Sequence, residues 1–152
     1  MSSRLELSTA VTRQVRDACL CLHVQRAARA LARHFDEAFR PLGLTHGQFS
    51  LLMSLNRAEP PSIGEVAPLL AMDRTTLTAN LKPLVKRGLV KVTVDRADRR
   101  SRRLTLTPAG RASLAAAVPV WKRTHAAIER RLARPDAEAL RADLRALSSC
   151  DS

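Results

Sequence analysis

Ten cationic side chains crowd into the 31 residues from Asp73 to Arg103: Arg74, Lys82, Lys86, Arg87, Lys91, Arg96, Arg99, Arg100, Arg102 and Arg103, against Asp73, Asp95 and Asp98. That local surplus of seven is more than half of the chain's formal net charge of +12, which comes from 26 Lys+Arg and 14 Asp+Glu. Guanidinium and ammonium groups at this density hold phosphates, and a concentrated basic stretch is the electrostatic footprint of a nucleic acid. A solvated charged face is the bland alternative, but it does not predict clustering on one helix and the loop after it. Among the cations stand Thr75, Thr76, Ala79 and Asn80, small or short polar groups suited to close approach to base edges.

Other chemistries find less support. No nucleophile with a matching base, phosphate-binding glycine loop or pair of acidic catalytic groups stands out, so an enzyme is not expected. Aromatic residues are 3% of the chain, with no Tyr, which argues against the stacking platforms that bind single strands. Cys19, Cys21 and His23 are spaced two apart, so only Cys19 and His23 share a helix face, and two ligands do not complete a tetrahedral metal site. Neither a metal nor another cofactor is expected. The three cysteines, Cys19, Cys21 and Cys150, are too few for a disulfide scaffold. No apolar run approaches the length of a membrane span and the N-terminus lacks a signal-peptide core, so the expected location is cytoplasmic, away from membranes.

The elements that must position the basic cluster follow from periodicity and caps. From about Ser8 to Arg40 the chain contains neither Pro nor Gly, and Val11, Val15, Ala18, Leu22, Leu31, Phe35 and Phe39 recur at helical intervals, predicting one long helix. Thr45 with Gln48, and Ser62 with Glu65, form capping-box patterns that open two further helices. Asp73 caps a helix ending at Gly88, with Pro83 inside it as a mild kink. The turn before it carries Ala71-Met72 where a glycine is common. Putting Leu77, Leu81, Leu84 and Val85 inward leaves Thr75, Thr76, Ala79, Lys82 and Lys86 outward, with Arg74 and Asn80 on the flanks.

Val90, Val92 and Val94, then Leu104 and Leu106, alternate with polar residues and predict a β-hairpin whose connection, Asp95 to Arg102, is longer than hairpins need. Thr107-Pro108 opens another helix, along which Leu114, Val118, Trp121, His125, Ile128 and Leu132 form a heptad-like stripe that wants a partner helix. A last amphipathic helix carries Leu140, Leu144 and Leu147. The predicted class is mainly α with a small hairpin wing: a winged helix-turn-helix over residues 45–107, flanked by helices at 8–40 and 108–148. In that layout the second helix of the pair lies in the major groove of duplex DNA, and the wing reaches the backbone or minor groove.

The stretches GLTHGQFSLLMSL, DRTTLTANLKPLVKRGLVKV and DRADRRSRRLTLTPAG resemble the MarR family of bacterial winged-helix transcription regulators, and the resemblance extends over nearly the whole of residues 1–152. Its most specific part is Asp98-Arg99-Arg100 shortly before Leu104-Thr105-Leu106-Thr107-Pro108. The resemblance implies a homodimer built from the terminal helices, a pseudo-palindromic operator, and repression relieved by a small ligand or by oxidation. It also implies that Asp98 steadies a wing arginine while Arg99 or Arg100 enters the minor groove, with Arg96 and Arg102 beside them. Cys21 precedes Gly43 by 22 residues, a spacing similar to that of the reactive cysteine in the family's organic-hydroperoxide regulators. This makes thiol-based release through Cys21, with Cys19 beside it, the alternative to an aromatic or anionic effector held near His23, Arg26, Phe49 and Trp121. A basic architectural protein without sequence preference is the remaining reading.

Overall fold

Local signals place most element boundaries in the computed structural model of the protein, which describes residues 8–149. Cys150 and both ends of the 1–152 span lie outside the described residues. The chain divides into two units, one up to His34 and one from Phe35.

The first unit contains helix α1, Thr9–Ala18, and most of α2, Leu20–Phe39. The single helix expected over 8–40 is therefore broken, and the break falls on Cys19, whose backbone is extended (φ −69°, ψ 109°). Its thiol takes the place of a capping oxygen: Sγ accepts the Leu22 backbone N–H at 3.5 Å. Cysteine is not among the usual caps and no Pro or Gly marks the position, so a periodic pattern runs straight through it. Val11, Val15, Leu20, Val24 and Leu31 are exposed, Leu20 to 66%.

The second unit is built around Phe39, Leu52, Val66, Leu77, Leu84 and Leu104, all fully buried. Helix α3, His46–Ser54, starts on Thr45, whose hydroxyl accepts from Gln48 N–H while Gln48 Oε1 accepts from Thr45 N–H. Helix α4, Ile63–Leu69, repeats the arrangement with Ser62 and Glu65. The turn to α5, Arg74–Lys86, needs a left-handed residue, and Ala71 supplies it at φ 51°. A non-glycine residue there costs about 1–2 kcal/mol. Helix α5 continues through Pro83 for another turn, as predicted, to Arg87 and Gly88.

Strands β1, Val90–Val94, and β2, Arg102–Leu106, pair antiparallel with Val90 opposite Leu106 and Val94 opposite Arg102. Of the three alternating valines only Val90 is buried, and Val94 is 52% exposed. The hairpin projects past the core, so its outer half has nothing to pack against. A further link escaped the sequence reading: Leu104 N–H donates to the Pro61 carbonyl at 2.9 Å, and Ser62 bridges Arg103, tying β2 to the start of α4.

Helix α6, Pro108–Glu129, and helix α7, Ala137–Ser148, complete the unit. The stripe along α6 serves two ends. Leu114 and Ala117 are buried, and Val118 and Trp121 pack on the same core, so this part is not free for a partner. Farther on, His125, Ile128 and Leu132 are half-buried, and Leu140, Leu144 and Leu147 of α7 are exposed. Arg141 joins the two helices by bonding Glu129 at 2.8 Å and Glu138 at 3.0 Å.

Gly110 governs where α6 leaves the hairpin. A Cβ at this position would stand 2.0 Å from the Leu89 carbonyl oxygen, a backbone atom that cannot swing aside. Gly110→Ala is therefore expected to destabilise the fold by about 1–3 kcal/mol or more, as other over-packed sites do. Thermal unfolding checks this; an unchanged midpoint would contradict the close crossing.

Candidate nucleic-acid interface

Helix α5 faces outward with a shallow groove lined by Arg74, Thr75, Thr78, Ala79 and Lys82. Leu77, Leu81 and Leu84 are buried on the other side, which sets the rotation of the helix, whereas Val85, expected inward with them, is 40% exposed. Asp73 accepts the Thr76 backbone N–H at 2.7 Å and the Thr76 hydroxyl at 2.9 Å. The Thr76 hydroxyl is thus engaged by the cap on an exposed side chain. Thr78, absent from the sequence-based set, lines the groove instead, its hydroxyl donating to the Arg74 carbonyl at 2.8 Å. One turn of helix separates Arg74 from Thr78 and Thr78 from Lys82, a spacing that could have identified it.

The flanking residues are held as well. The Arg74 guanidinium lies over Gly64, where a Cβ would come within 3.1 Å of Nη2. Asn80 is exposed, its amide 3.6 Å from Met72 Sδ, and Lys86 is exposed near the end of the helix. Arg87, counted among the ten cations, turns away from the groove and donates to the Gly43 carbonyl at 2.8 Å.

The wing loop is ordered by two aspartates. Asp95 accepts from Ala97 N–H at 2.9 Å and Asp98 from Arg100 N–H at 3.0 Å, while Asp95 N–H closes the loop on the Ser101 carbonyl. Arg102 donates to the carbonyls of Arg99 and Ser101. Arg96, Arg99, Arg100 and Arg102 are exposed. The expected partnership of Asp98 with a wing arginine takes a different form: its carboxylate holds the Arg100 backbone. The aspartate that grips a guanidinium is Asp95, with Arg103 Nε and Nη2 both 2.8 Å from Oδ2. Arg103 is therefore partly neutralised and not one of the outward cations.

Of the residues considered for an effector, Phe49 and Trp121 belong to the second unit and His23 and Arg26 to the first. Phe49 is buried in a ring column running Phe35, Phe39, Phe49, Trp121 and His125, with centroids 4.8 to 6.5 Å apart. His23 and Arg26 are exposed on α2 in the first unit, and His23 Nδ1 lies 2.8 Å from the Cys19 carbonyl oxygen. Cys21 is exposed, with Gln25 Nε2 donating to its sulfur at 3.2 Å. Among the described residues no three of His, Cys, Asp and Glu are grouped to hold a metal ion, and no helix is long and apolar enough to cross a membrane.

A capped helix pair, an outward recognition helix and a basic hairpin define a winged helix-turn-helix protein. Residues 42–101 match the MarR family, and solved structures extend the likeness over the chain. The M. tuberculosis transcriptional regulator MosR in complex with DNA is 38% identical, with 86% of this chain and 93% of that one covered and a TM-score of 0.78. The transcriptional repressor CouR bound to a 23-mer DNA duplex is 31% identical, covering 88% and 95%, TM-score 0.79. BpsR of Bordetella bronchiseptica, whose DNA binding is regulated by 6-hydroxynicotinic acid, is 28% identical, covering 88% and 96%, TM-score 0.79. The chain belongs to the MarR family. It spans about half the length of the two curated relatives it matches, 49% of a transcriptional regulator of Methylorubrum extorquens and 54% of a transcriptional activatory protein of Rhodopseudomonas palustris.

Three carboxylates in this interface are held below their ordinary pKa: Asp73 first by Thr76 N–H, Glu65 first by Ser62 N–H, and Asp95 first by Ala97 N–H and then by Arg103. A depressed carboxylate stabilises the fold above its unfolded pKa and loses that contribution as pH falls through the folded value. The stability advantage of the wild type over Asp95→Asn is accordingly expected in full above about pH 4 and to close below it. Calorimetry across pH 2–7 checks the sign; an advantage that grows in acid would contradict it.

Proposed function

We propose that the protein is a sequence-specific, double-stranded DNA-binding transcription regulator with no enzymatic role. The observation that carries this reading is the pairing of an outward, cation-flanked groove on α5 with a loop of four exposed arginines. Small side chains at Thr75, Thr78 and Ala79 let the helix approach base edges, and Arg74, Lys82 and Lys86 reach phosphates or bases at its borders. Arg99 and Arg100 on the wing extend the surface into the neighbouring minor groove, with Arg96 and Arg102 on the backbone and Asp98 shaping the tip. MosR and CouR, both solved with DNA, support the partner. A regulator of this kind works where the chromosome is, in the bacterial cytoplasm.

The same reading includes a homodimer. Val11, Val15, Leu20, Val24 and Leu31 at one end of the chain and Leu140, Leu144 and Leu147 at the other expose apolar faces of the kind that a second subunit covers. The domain plan is then a reading region at 45–107 between dimerisation helices at 8–40 and 108–148, and two copies call for a pseudo-palindromic operator. Repression is favoured by CouR, a repressor, and release by a small aromatic or anionic ligand is favoured by BpsR.

Salt titration against the tightest duplex recovered from a random pool tests the assignment. Arg99→Ala with Arg100→Ala is expected to weaken binding to every duplex and to reduce the salt slope by about one for each phosphate no longer neutralised. Thr75→Ala should change the preferred bases. If neither variant alters binding, the interface lies elsewhere.

Thiol-based release has one observation in its favour: Cys19 Sγ caps α2 beside exposed Cys21, so oxidation here alters the start of the helix. The two signals are separable because Trp121 is the only Trp and sits in the ring column. Under the ligand reading, 6-hydroxynicotinic acid as probe changes Trp121 fluorescence and releases DNA, while peroxide has no effect. Peroxide release that disappears in Cys21→Ser would establish the thiol reading instead.

A further inference from the structure

The first turn of α4 receives arginines from two directions. Arg74, from the recognition helix, lies over Gly64. Arg103, from the wing, donates from Nη1 to the Pro60 carbonyl at 3.2 Å and to Glu65 Oε2 at 3.3 Å, while its Nε and Nη2 meet Asp95 Oδ2. Glu65 Oε2 is also the acceptor that closes the α4 capping box, taking the Ser62 backbone N–H at 2.6 Å. One carboxylate oxygen therefore belongs both to the helix cap and to the wing. The side chain of Asp95 is 13% exposed and that of Arg103 39%, so their pairing is partly shielded from solvent.

Position matters because the remaining hydrogen bonds described for the wing loop are local. The Asp95 and Asp98 turns and the Arg102 bonds all fall within residues 95–102. They give the loop its shape but do not orient it against the helices. That link runs through β2, by the backbone bond of Leu104 to Pro61, the backbone bridge of Arg103 with Ser62 and the Arg103 side chain.

We propose that Arg103 is a positioning residue: its guanidinium joins Asp95 at the wing's base to the Glu65–Ser62 cap of α4 and so sets where the outward wing arginines stand relative to the recognition helix. The inference rests on the DNA-binding reading above. Arg103 itself touches no DNA in this account. A planar fork with five donors suits the task, since it satisfies a carboxylate on one side while reaching a carbonyl and a second carboxylate on another.

A mutant cycle on the selected duplex tests it. Arg103→Gln is expected to weaken binding by the otherwise wild-type protein about tenfold and to cause almost no further loss once Arg99 and Arg100 are both Ala, because no wing arginine is then left to misplace. Arg103→Lys should recover part of the loss, since an ammonium keeps the charge without the fork. In the free protein, amide exchange at Ala97, whose acceptor Asp95 is the carboxylate that Arg103 grips, should quicken in Arg103→Gln. Should that variant fail to fold, Glu65→Gln, which retains an acceptor for Ser62, carries the same cycle. Equal losses in both backgrounds would overturn the proposal by making Arg103 a direct DNA ligand or a general stabiliser, and so would unchanged affinity with unchanged exchange. A wild type without preference for any duplex would defeat the functional reading, while the exchange measurement would still judge the coupling.

Discussion

Leu77, Leu81 and Leu84 recur at intervals of four and three along α5, and their burial sets the rotation of that helix about its own axis. Truncating any one of them to Ala removes about 2–5 kcal/mol of packing, which is large against the marginal stability of a single domain. The groove of Arg74, Thr75, Thr78, Ala79 and Lys82 faces outward because these leucines face inward. The short caps and turns around them serve the same constraint. Asp73 fixes where α5 begins, Ala71 accepts a left-handed backbone so that α4 and α5 can meet, and Gly110 lets α6 cross close to Leu89.

Electrostatics then divides the cations by job. Arg87 and Arg103 are spent within the protein, on the Gly43 carbonyl and on Asp95, Glu65 and Pro60. Arg96, Arg99, Arg100 and Arg102 remain exposed on a loop whose backbone is already shaped by Asp95 and Asp98. A loop ordered before it meets a ligand loses less conformational entropy on binding. Charge clustering in the sequence therefore overstates how much of the charge stands free on the surface.

The sequence carries the framework well and the side-chain commitments poorly. Thr45, Ser62, Asp73 and Thr107 each start a helix by a hydrogen bond between near neighbours, and such local chemistry is readable from residue order. The helical wheel sets Thr76 outward and leaves Thr78 out, yet Thr78 lines the groove while the Thr76 hydroxyl is held by the Asp73 cap. Arg103 bonds residues 38 and 43 positions away, and nothing in the spacing of the chain reports that. Cys19 breaks a helix that every periodic signal continues, and Val94 alternates as a core residue would while pointing into water, because the alternation does not reveal where the core ends.

The central claim is that α5 and the wing form one DNA-reading surface, duplicated in a homodimer. Hydroxyl-radical footprinting on the duplex selected by the wild-type protein tests this most directly. The account predicts two protected windows centred roughly 10 bp apart, or a multiple of that, each flanked by minor-groove protection that disappears when Arg99 and Arg100 are both Ala. Uniform protection along the duplex, or a single window unaffected by those substitutions, would contradict it.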